Sequence, residues 1–351
     1  MIYPTRDFEK ASCRDAAIDK VELINLFDII EEKQYNIHSM VLLRDGAKIF
    51  DVYADSFGPN TREEIYSISK SFTSIAIGIC QDLGYLTLDQ SAYSFFRDQV
   101  KHPIEGAQQI TIRHLLTMTV GHSKDYLFEA NPKQSLIETF FSLPLEHEVG
   151  TYFVYNNFAT YMLSAIVSRV TGKTLNDFLD EVLYHKIGIV KPIWKEYQGI
   201  SIGAYGLALG ALDLARFGHL LLSEGTWKGE QIVSRAYIRE ATANHISTSH
   251  VENPKDRYGY GYQFWMNDFQ DYRAAGLYKQ YIVINKEFNC VFVVQAYEDR
   301  ELLDLFTTHI LGGFMKGWQY TYHSLRDVLY RFHIQSKPRI ETEKQNRTEG
   351  Q

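Results

Sequence analysis

The order of strand-type and helix-type segments is the feature that most constrains how this chain folds. Residues 39–55 hold two apolar runs on either side of Arg44-Asp45-Gly46, and Asp-Gly between such runs is a strong hairpin signal. After residue 255, three aromatic or β-branched runs predict three successive antiparallel strands: YGYGYQFWMN, YRAAGLYKQYIVIN and NCVFVVQAY. Because helical patterns fill most of the chain between, the order predicts an α+β fold with one sheet built from both ends.

Helical patterns are clearest at four places between these strands. Each combines apolar residues with a glycine at or near its C-terminal end. They predict helices over residues 67–83, 110–122, 156–172 and 206–225. A fifth pattern follows Thr174, a residue type that caps helix N-termini, and RELLDLFTTHILGGFM predicts a closing helix.

The same order predicts how the chain divides into domains. We expect a discontinuous sheet domain of residues 1–85 and 235–335, with residues 86–234 inserted as a helical domain. Residues 336–351 are polar and predict a mobile tail. A chain of 351 residues buries enough apolar surface to fold without a disulfide or a metal.

The charge balance limits which partners we expect. The chain has 36 Lys and Arg against 43 Asp and Glu, and its formal net charge of −7 repels nucleic acid and anionic lipid. We therefore expect a small-molecule substrate, no nucleic-acid partner and no membrane partner. The sequence has no long apolar run of membrane-spanning length, and its N-terminus is too charged and polar for a signal peptide. These features predict a cytoplasmic protein, and the oligomeric state stays open.

Residue types that bind metals are scattered along the sequence. Cys13, Cys80 and Cys290 show no paired spacing, which argues against a disulfide framework and a cysteine zinc site. The 12 histidines form no pattern typical of a metal site. We therefore expect no metal and no cofactor.

The tetrad Ser67-Ile68-Ser69-Lys70 opens the first predicted helix and could carry chemistry. Residues three apart lie on one helix face, so Lys70 can sit beside the Ser67 hydroxyl. A serine becomes a good nucleophile when a base takes its proton, and a lysine whose pKa is lowered by burial can be that base. The Ser67 backbone N–H can also contribute to an oxyanion hole. The alternative is that Ser67 simply caps the helix.

Tyr155 and Asn157 form a second candidate pair, at a junction between a loop and a predicted helix. Tyr155 can accept and return protons if a nearby ammonium lowers its pKa. Asn157 can donate a hydrogen bond to a substrate carbonyl, or accept one from Lys70 through its oxygen. The alternatives are that Tyr155 only packs and that Asn157 caps the following helix.

Together these segments resemble the serine β-lactamase and penicillin-recognising family, especially its class C β-lactamase, D-alanyl-D-alanine carboxypeptidase and esterase branches. Ser67 and Lys70 match the family's first motif, Ser-x-x-Lys, and Tyr155 and Asn157 match its second, Tyr-x-Asn, which begins 88 residues after Ser67. Three further stretches are similar: the Arg-Asp-Gly hairpin, ITIRHLLTMTVGH and GLALGALDLARFGHLLLSEGTWKGEQIVS. The resemblance covers about residues 38–300.

The third family motif is where this sequence departs from the pattern. Relatives carry Lys or His, then Thr or Ser, then Gly, on a strand beside the site. Here Gly276 matches the motif glycine, but Ala274 stands where the cation would be. The cation that usually helps to bind a substrate carboxylate is therefore missing or moved to Arg273 or Lys279.

The resemblance implies a β-lactamase/transpeptidase-like fold, with a mainly antiparallel sheet flanked by helices. It implies that the backbone of the third-motif strand completes the oxyanion hole. The residues that it makes catalytic are Ser67, Lys70 and Tyr155. The residues that it places against the substrate are Asn157, Ala275 and Gly276.

The function implied is that of a serine hydrolase that forms an acyl-enzyme with a small ester, amide or peptide. Lys70 and Tyr155 would share the work of the general base. One alternative is a D-Ala-D-Ala carboxypeptidase or β-lactamase, including an enzyme that acts on recycled cell-wall fragments. Another is a covalent sensor or scaffold protein that does not turn over, which the altered third motif would suit.

Overall fold

The computed structural model describes residues 7–131, 133–268 and 271–317. The predicted mobile tail lies outside these residues. The described chain divides into two compact units. The larger unit holds residues 7–10 and 36–300, and the smaller unit holds residues 11–35 and 301–317.

The larger unit contains a six-stranded antiparallel sheet and several two-residue strands. Among the described residues the strands are β1 (Ile37–Arg44), β2 (Ala47–Tyr53), β3 (Glu63–Glu64), β4 (Glu196–Tyr197), β5 (Ile200–Ser201), β6 (Ala208–Leu209), β7 (Thr226–Trp227), β8 (Glu230–Gln231), β9 (Trp265–Met266), β10 (Tyr272–Gly276), β11 (Gln280–Asn285) and β12 (Cys290–Ala296). The large sheet has the order β2-β1-β12-β11-β10-β9. The prediction of one sheet built from both ends of the chain is confirmed.

The turn between β1 and β2 explains why the sheet begins with a hairpin. Asp45 and Gly46 have φ angles of 53° and 83°, both in the left-handed region. A two-residue type I′ turn requires such angles, and its twist matches that of the strands it joins. Arg44 pairs with Ala47 across the turn, so the predicted hairpin is confirmed.

The other main elements of the described chain are helices. In the larger unit they are α2 (Ser69–Asp82), α3 (Ile112–Thr117), α4 (Leu136–Ser142), α5 (Asn157–Thr171), α6 (Leu175–Leu179), α7 (Ala211–Leu222) and α8 (Arg235–Ala241), and in the smaller unit α1 (Lys20–Lys33) and α9 (Leu303–Leu305). Helix α6 runs on into a π-helical segment, Asp180–Tyr184, and α9 into another, Phe306–Leu311. Within the smaller unit, Glu22 of α1 lies 3.1 Å from the His309 ring.

Helix α2 is the buried centre of the larger unit. Its residues from Ser69 to Cys80 are all buried, and it packs against α5, α6, α8 and β10. Phe72 stacks on Phe217 of α7 with 3.7 Å between ring centroids. Burying a phenylalanine contributes roughly 2–3 kcal/mol, so this packing fixes the helix axis and, with it, the position of the helix N-terminus.

Two of the predicted helices are confirmed and two are shorter than predicted. Helices α2 and α5 occupy the segments 67–83 and 156–172, and Gly172 ends α5 with a φ of 69°. The segment 110–122 is helical only over α3, because Met118 takes a left-handed φ of 58° and ends the helix. The segment 206–225 becomes helical only at α7, because β6 pairs with β3 just before it.

The predicted strands after residue 255 also differ in detail. The middle run contains two strands, β10 and β11, because a tight turn at Tyr278 and Lys279 folds it back on itself. The first run forms only β9. Its Tyr262 backbone N–H bonds instead to the carbonyl of Ala241 at the end of α8.

The predicted domain boundaries at residues 85 and 234 stay a prediction. Inside the segment 86–234, helix α7 packs on the sheet against β1, β11 and β12. Within the part of the chain described here, no helix has both the length and the hydropathy needed to cross a bilayer.

Candidate active site

The N-terminal end of α2 brings Ser67 and Lys70 together. Ser67 lies in the 3₁₀ turn Tyr66–Ile68 that leads into α2, and Lys70 lies in the first turn of the helix. The Lys70 Nζ is 2.9 Å from the Ser67 Oγ. The residue at the N-cap of α2 is Ile68, so the alternative in which Ser67 caps this helix is wrong.

The backbone just before Ser67 is strained. Tyr66 has a φ of 46°, in the left-handed region that costs a non-glycine residue about 1–2 kcal/mol. The Ser69 hydroxyl donates a 2.6 Å hydrogen bond to the Tyr66 carbonyl and helps to hold this turn. Strain of this kind often occurs at functional sites, where it fixes a side chain in a required direction.

Three acceptors surround the buried Lys70 amine. Its Nζ donates to the Ser67 Oγ, to the Asn157 Oδ1 at 2.6 Å and to the backbone carbonyl of Ala204 at 2.8 Å. Burial lowers the pKa of Lys70 to about 7, and the nearby Asp125 carboxylate opposes this shift. An amine with this pKa is partly unprotonated at neutral pH and can accept a proton.

Tyr155 reaches the same point from the loop before α5. Its side chain shares a hydrogen bond with Ser67, and its ring centroid lies 4.9 Å from the Lys70 Nζ. Burial raises the pKa of Tyr155, and the hydrogen bond with Ser67 only partly offsets that rise. The condition under which Tyr155 could accept protons, a pKa lowered by a nearby ammonium, is therefore not met in the free protein.

The two asparagines after Tyr155 have different roles. Asn156 is the N-cap of α5, and its side chain accepts from the backbone N–H of Ala159 at 3.0 Å. Asn157 is the first residue of the helix, and its Oδ1 faces Lys70. The alternative in which Asn157 is the helix cap is therefore wrong.

Sequence reasoning missed two groups at this site. Asp125 accepts a 2.7 Å hydrogen bond from the Asn157 Nδ2, and the carbonyl of Ala204 accepts from Lys70. Asp125 lies in a polar loop, 32 residues from Asn157, with no local pattern to mark it. A backbone carbonyl leaves no signal in a sequence at all.

A cleft of about 590 Å³ opens beside Ser67. Four of the six predicted site residues line it, and Lys70 and Asn157 lie behind them, joined to Ser67 by the hydrogen bonds described above. The lining residues are Ser67, Tyr155, Val251, Glu252, Asn253, Asp256, Trp265, Ala275, Gly276, Leu277, Tyr278, Lys279, Tyr281, Glu298 and Asp299.

Gly276 holds β10 close to the turn that carries Ser67. A Cβ at this position would lie 2.6 Å from the backbone oxygen of Ile65, two residues before Ser67. No side chain fits in that gap, so the strand and the turn approach as closely as their backbones allow. Ala275, the neighbouring residue of β10, also faces the cleft.

The two cations proposed for the altered third motif have different surroundings. Arg273 is 1% exposed, and its guanidinium bonds Asp256, Asn267 and the carbonyls of Lys255 and Met266. Lys279 lines the cleft. Ala274, at the position of the family cation, is buried in β10.

No group of three or more metal-ligating side chains lies together in the described part of the chain.

Comparisons with known proteins agree on one family. The family described as Beta-lactamase matches residues 28–302 of the chain. The 6-aminohexanoate-dimer hydrolase of Paenarthrobacter ureafaciens is 23% identical over 223 residues, which are 58% of this chain and 57% of that protein. The chain thus spans less than two thirds of the length of this relative.

Solved structures show the same fold. A penicillin-binding protein homologue from Pyrococcus abyssi, described as octameric, superposes with a TM-score of 0.65 and 20% identity, covering 84% of this chain and 77% of that one. EstCE1, described as a hydrolase with promiscuous acyltransferase activity, gives a TM-score of 0.65 and 16% identity, covering 82% and 94%. The chain has the β-lactamase/transpeptidase-like fold and belongs to the beta-lactamase family.

Proposed function

We propose that this protein is a serine hydrolase that forms an acyl-enzyme on Ser67 with a small ester, amide or peptide substrate. The observation that carries the proposal is the 2.9 Å contact between the Ser67 Oγ and the buried Lys70 amine, whose pKa is about 7. Membership of the beta-lactamase family supports the same chemistry, as do relatives named as hydrolases.

In the proposed acylation step, the neutral Lys70 amine takes the proton of Ser67. The Ser67 Oγ then forms a bond to the substrate carbonyl carbon, and negative charge moves to the carbonyl oxygen. We assign the stabilisation of that oxygen to the backbone N–H of Ser67 and a backbone N–H of Ala275 or Gly276. Such donors act on charge that develops in the transition state.

Tyr155 is the proposed donor to the leaving group. Its raised pKa keeps the phenol protonated at neutral pH, which favours Lys70 over Tyr155 as the base in the free enzyme. When the bond to the leaving group breaks, the phenol protonates the leaving atom and Lys70 returns a proton to Tyr155. Water then attacks the acyl carbon and Lys70 takes the water proton. The bond between the Ser67 Oγ and the acyl carbon breaks, Lys70 passes the proton to the Oγ, and the acid product leaves.

The third motif favours ester or amide substrates over penicillins and D-Ala-D-Ala peptides. Recognition of the carboxylate in those substrates calls for a cation at the cleft, and Ala274 supplies none. Arg273 is buried and held by Asp256 and Asn267. The D-Ala-D-Ala carboxypeptidase and β-lactamase alternatives therefore depend on Lys279 alone among the three third-motif positions considered.

A panel of p-nitrophenyl esters, D-amino-acid amides and nitrocefin tests the proposal. We expect sustained turnover of at least one ester or amide, and Ser67→Ala to lower it by several orders of magnitude. A serine-directed phosphonate should label the wild-type protein and Ser56→Ala, an exposed control, but not Ser67→Ala. Labelling that persists in Ser67→Ala would remove Ser67 from its role. A single stoichiometric burst without turnover would instead support the sensor alternative.

The cytoplasmic location also stays a proposal. Fractionation of cells that produce the full-length protein would check it.

A further inference from the structure

Asp125 is a charged group that lies directly behind the proposed base. Its Oδ2 accepts a 2.7 Å hydrogen bond from the Asn157 Nδ2. Its Oδ1 accepts from the backbone N–H groups of Phe158 at 3.3 Å and Leu127 at 3.2 Å. The carboxylate is therefore anchored by three donors, two of them at the first turn of α5.

An ionised carboxylate can only accept hydrogen bonds, and this dictates which way the Asn157 amide faces. The NH₂ group of Asn157 must point to Asp125, so its oxygen must point to the opposite side. That oxygen is the atom that lies 2.6 Å from the Lys70 Nζ. Asp125 thus determines whether Lys70 meets an acceptor or a donor.

The direction of the Lys70 lone pair depends on this choice. A neutral lysine amine has two hydrogens and one lone pair, and three groups surround it: Asn157 Oδ1, the Ala204 carbonyl and Ser67 Oγ. The first two can only accept, so each takes one of the hydrogens. The lone pair is left for Ser67, the one neighbour of the three that has a proton to give.

We propose that Asp125 is a positioning residue that aims the Lys70 lone pair at Ser67 by fixing the polarity of the Asn157 amide. The inference rests on the proposed function, because it assigns a task within the same acylation step. If the amide turned round, its NH₂ would face Lys70 and capture the lone pair. The base would then be present and unprotonated but directed away from the nucleophile.

Three other titratable groups that interact with Lys70 or Asp125 are neutral near pH 7 to 8. Lys70 also faces Tyr155, whose phenol stays protonated. His122 and Tyr205 interact electrostatically with Asp125. Burial lowers the pKa of His122 to about 4 and raises that of Tyr205, so neither is charged there. Asp125 is therefore the charge to vary in a test.

Asp125→Asn is the first variant to measure, because it keeps the shape and removes both the charge and the fixed polarity. We expect kcat on the best p-nitrophenyl ester to fall about 10- to 100-fold, since misdirected groups lose catalysis on that scale. Loss of the anion also shifts the acid limb of the kcat/KM profile to lower pH. Glu129→Gln, in the same loop but exposed and paired with Lys124, should leave both unchanged.

The exchange variant Asp125→Asn/Asn157→Asp separates positioning from a merely structural role. In this variant the carboxylate at position 157 lies next to Lys70 and can only accept hydrogen bonds. The amide at position 125 lies behind it and donates a hydrogen bond to that carboxylate. We expect the kcat of the exchange variant, measured above pH 8, to be at least about tenfold higher than that of Asp125→Asn. Its acid limb should move to higher pH than in the wild type, because an adjacent carboxylate raises the pKa of Lys70.

These measurements test the positioning role of Asp125 separately from the proposed function. If the wild-type protein turns over no ester or amide, the proposed function fails. If the wild type turns over but Asp125→Asn keeps its rate and pH profile, the positioning role is wrong and the function stands. If thermal melting shows that Asp125→Asn does not fold, the exchange variant decides: a folded exchange variant whose rate does not recover above pH 8 overturns the proposal.

Discussion

The ring of Tyr155 lies nearly parallel to the indole of Trp265, with 5.5 Å between centroids and 20° between ring planes. Tyr260 meets both rings edge-on, at 6.4 Å from Tyr155 and 4.8 Å from Trp265. The proposed proton donor is thus held by a three-ring cluster. A phenol held by packing in this way needs no ionised partner to keep its place.

Trp265→Ala should lower kcat as well as stability. Stacked aromatic pairs contribute about 0.5–1.5 kcal/mol beyond buried area, so Tyr155 loses much of what holds its ring. We expect a drop in kcat of about tenfold or more, since small misplacements of catalytic groups are costly. Trp265→Phe, which keeps an aromatic face, should retain most of the rate. Equal kcat in both variants would show that stacking does not position Tyr155.

The rate should depend on pH through Lys70. Burial holds its pKa near 7, so the amine gains a proton as the pH falls through that value and loses its ability to act as a base. We expect kcat/KM to level off above pH 8 and to fall about tenfold per pH unit well below 7. A steady-state profile from pH 5 to 9 measures this. An acid limb near pH 4 would point to a carboxylate base instead.

Gly276→Ala should damage catalysis by pushing β10 away from the Ser67 turn. The new Cβ would meet the Ile65 backbone oxygen at 2.6 Å, and backbone on both sides must then move. We expect kcat/KM to fall about 100-fold, a loss typical of a displacement near 1 Å. Gly58→Ala is the matched control, because its added Cβ meets no atom within 4 Å. Similar losses in both variants would contradict the steric argument.

Lys279→Gly should give a more stable protein than Lys279→Ala. Tyr278 and Lys279 have φ angles of 61° and 60°, in the region where glycine lacks the steric penalty of other residues. Both variants lose the same side-chain contacts, so their difference isolates the backbone. We expect glycine to exceed alanine by roughly 1 kcal/mol in the free energy of unfolding, from urea titrations. Equal stabilities would show that the turn carries no strain at this residue.

Much of the fold could be predicted because local signals and tertiary structure agree. The Asp45-Gly46 turn, the apolar segment of α2 and the Gly172 end of α5 each follow from residues close together in sequence. The shortened helix α3 and the split strand run could not be predicted in the same way. Met118 and Tyr278 adopt left-handed angles that their own side chains disfavour, so contacts elsewhere in the fold impose them.

The same distinction between local and tertiary signals applies to the candidate site. Ser67 and Lys70 are three residues apart, a spacing that already implies contact between their side chains. The resemblance to the family motifs implies that Tyr155 and Asn157 lie beside them. The direction of the Tyr155 pKa shift depends on burial, which local sequence does not reveal. Asp125 and the Ala204 carbonyl reach the site only through the packing of distant segments.

The pairing of β1 with β12 has a consequence for how this protein is made. The ribosome makes β1, Ser67 and Lys70 well before β12, which pairs with β1, and before β10, which borders the cleft beside Ser67. Until then the growing polypeptide carries its nucleophile without the strand that closes the cleft, and β1 has one open edge. An open edge can pair with other chains, so aggregation is expected mainly in the interval between the synthesis of β1 and that of β12, when chaperones would matter most.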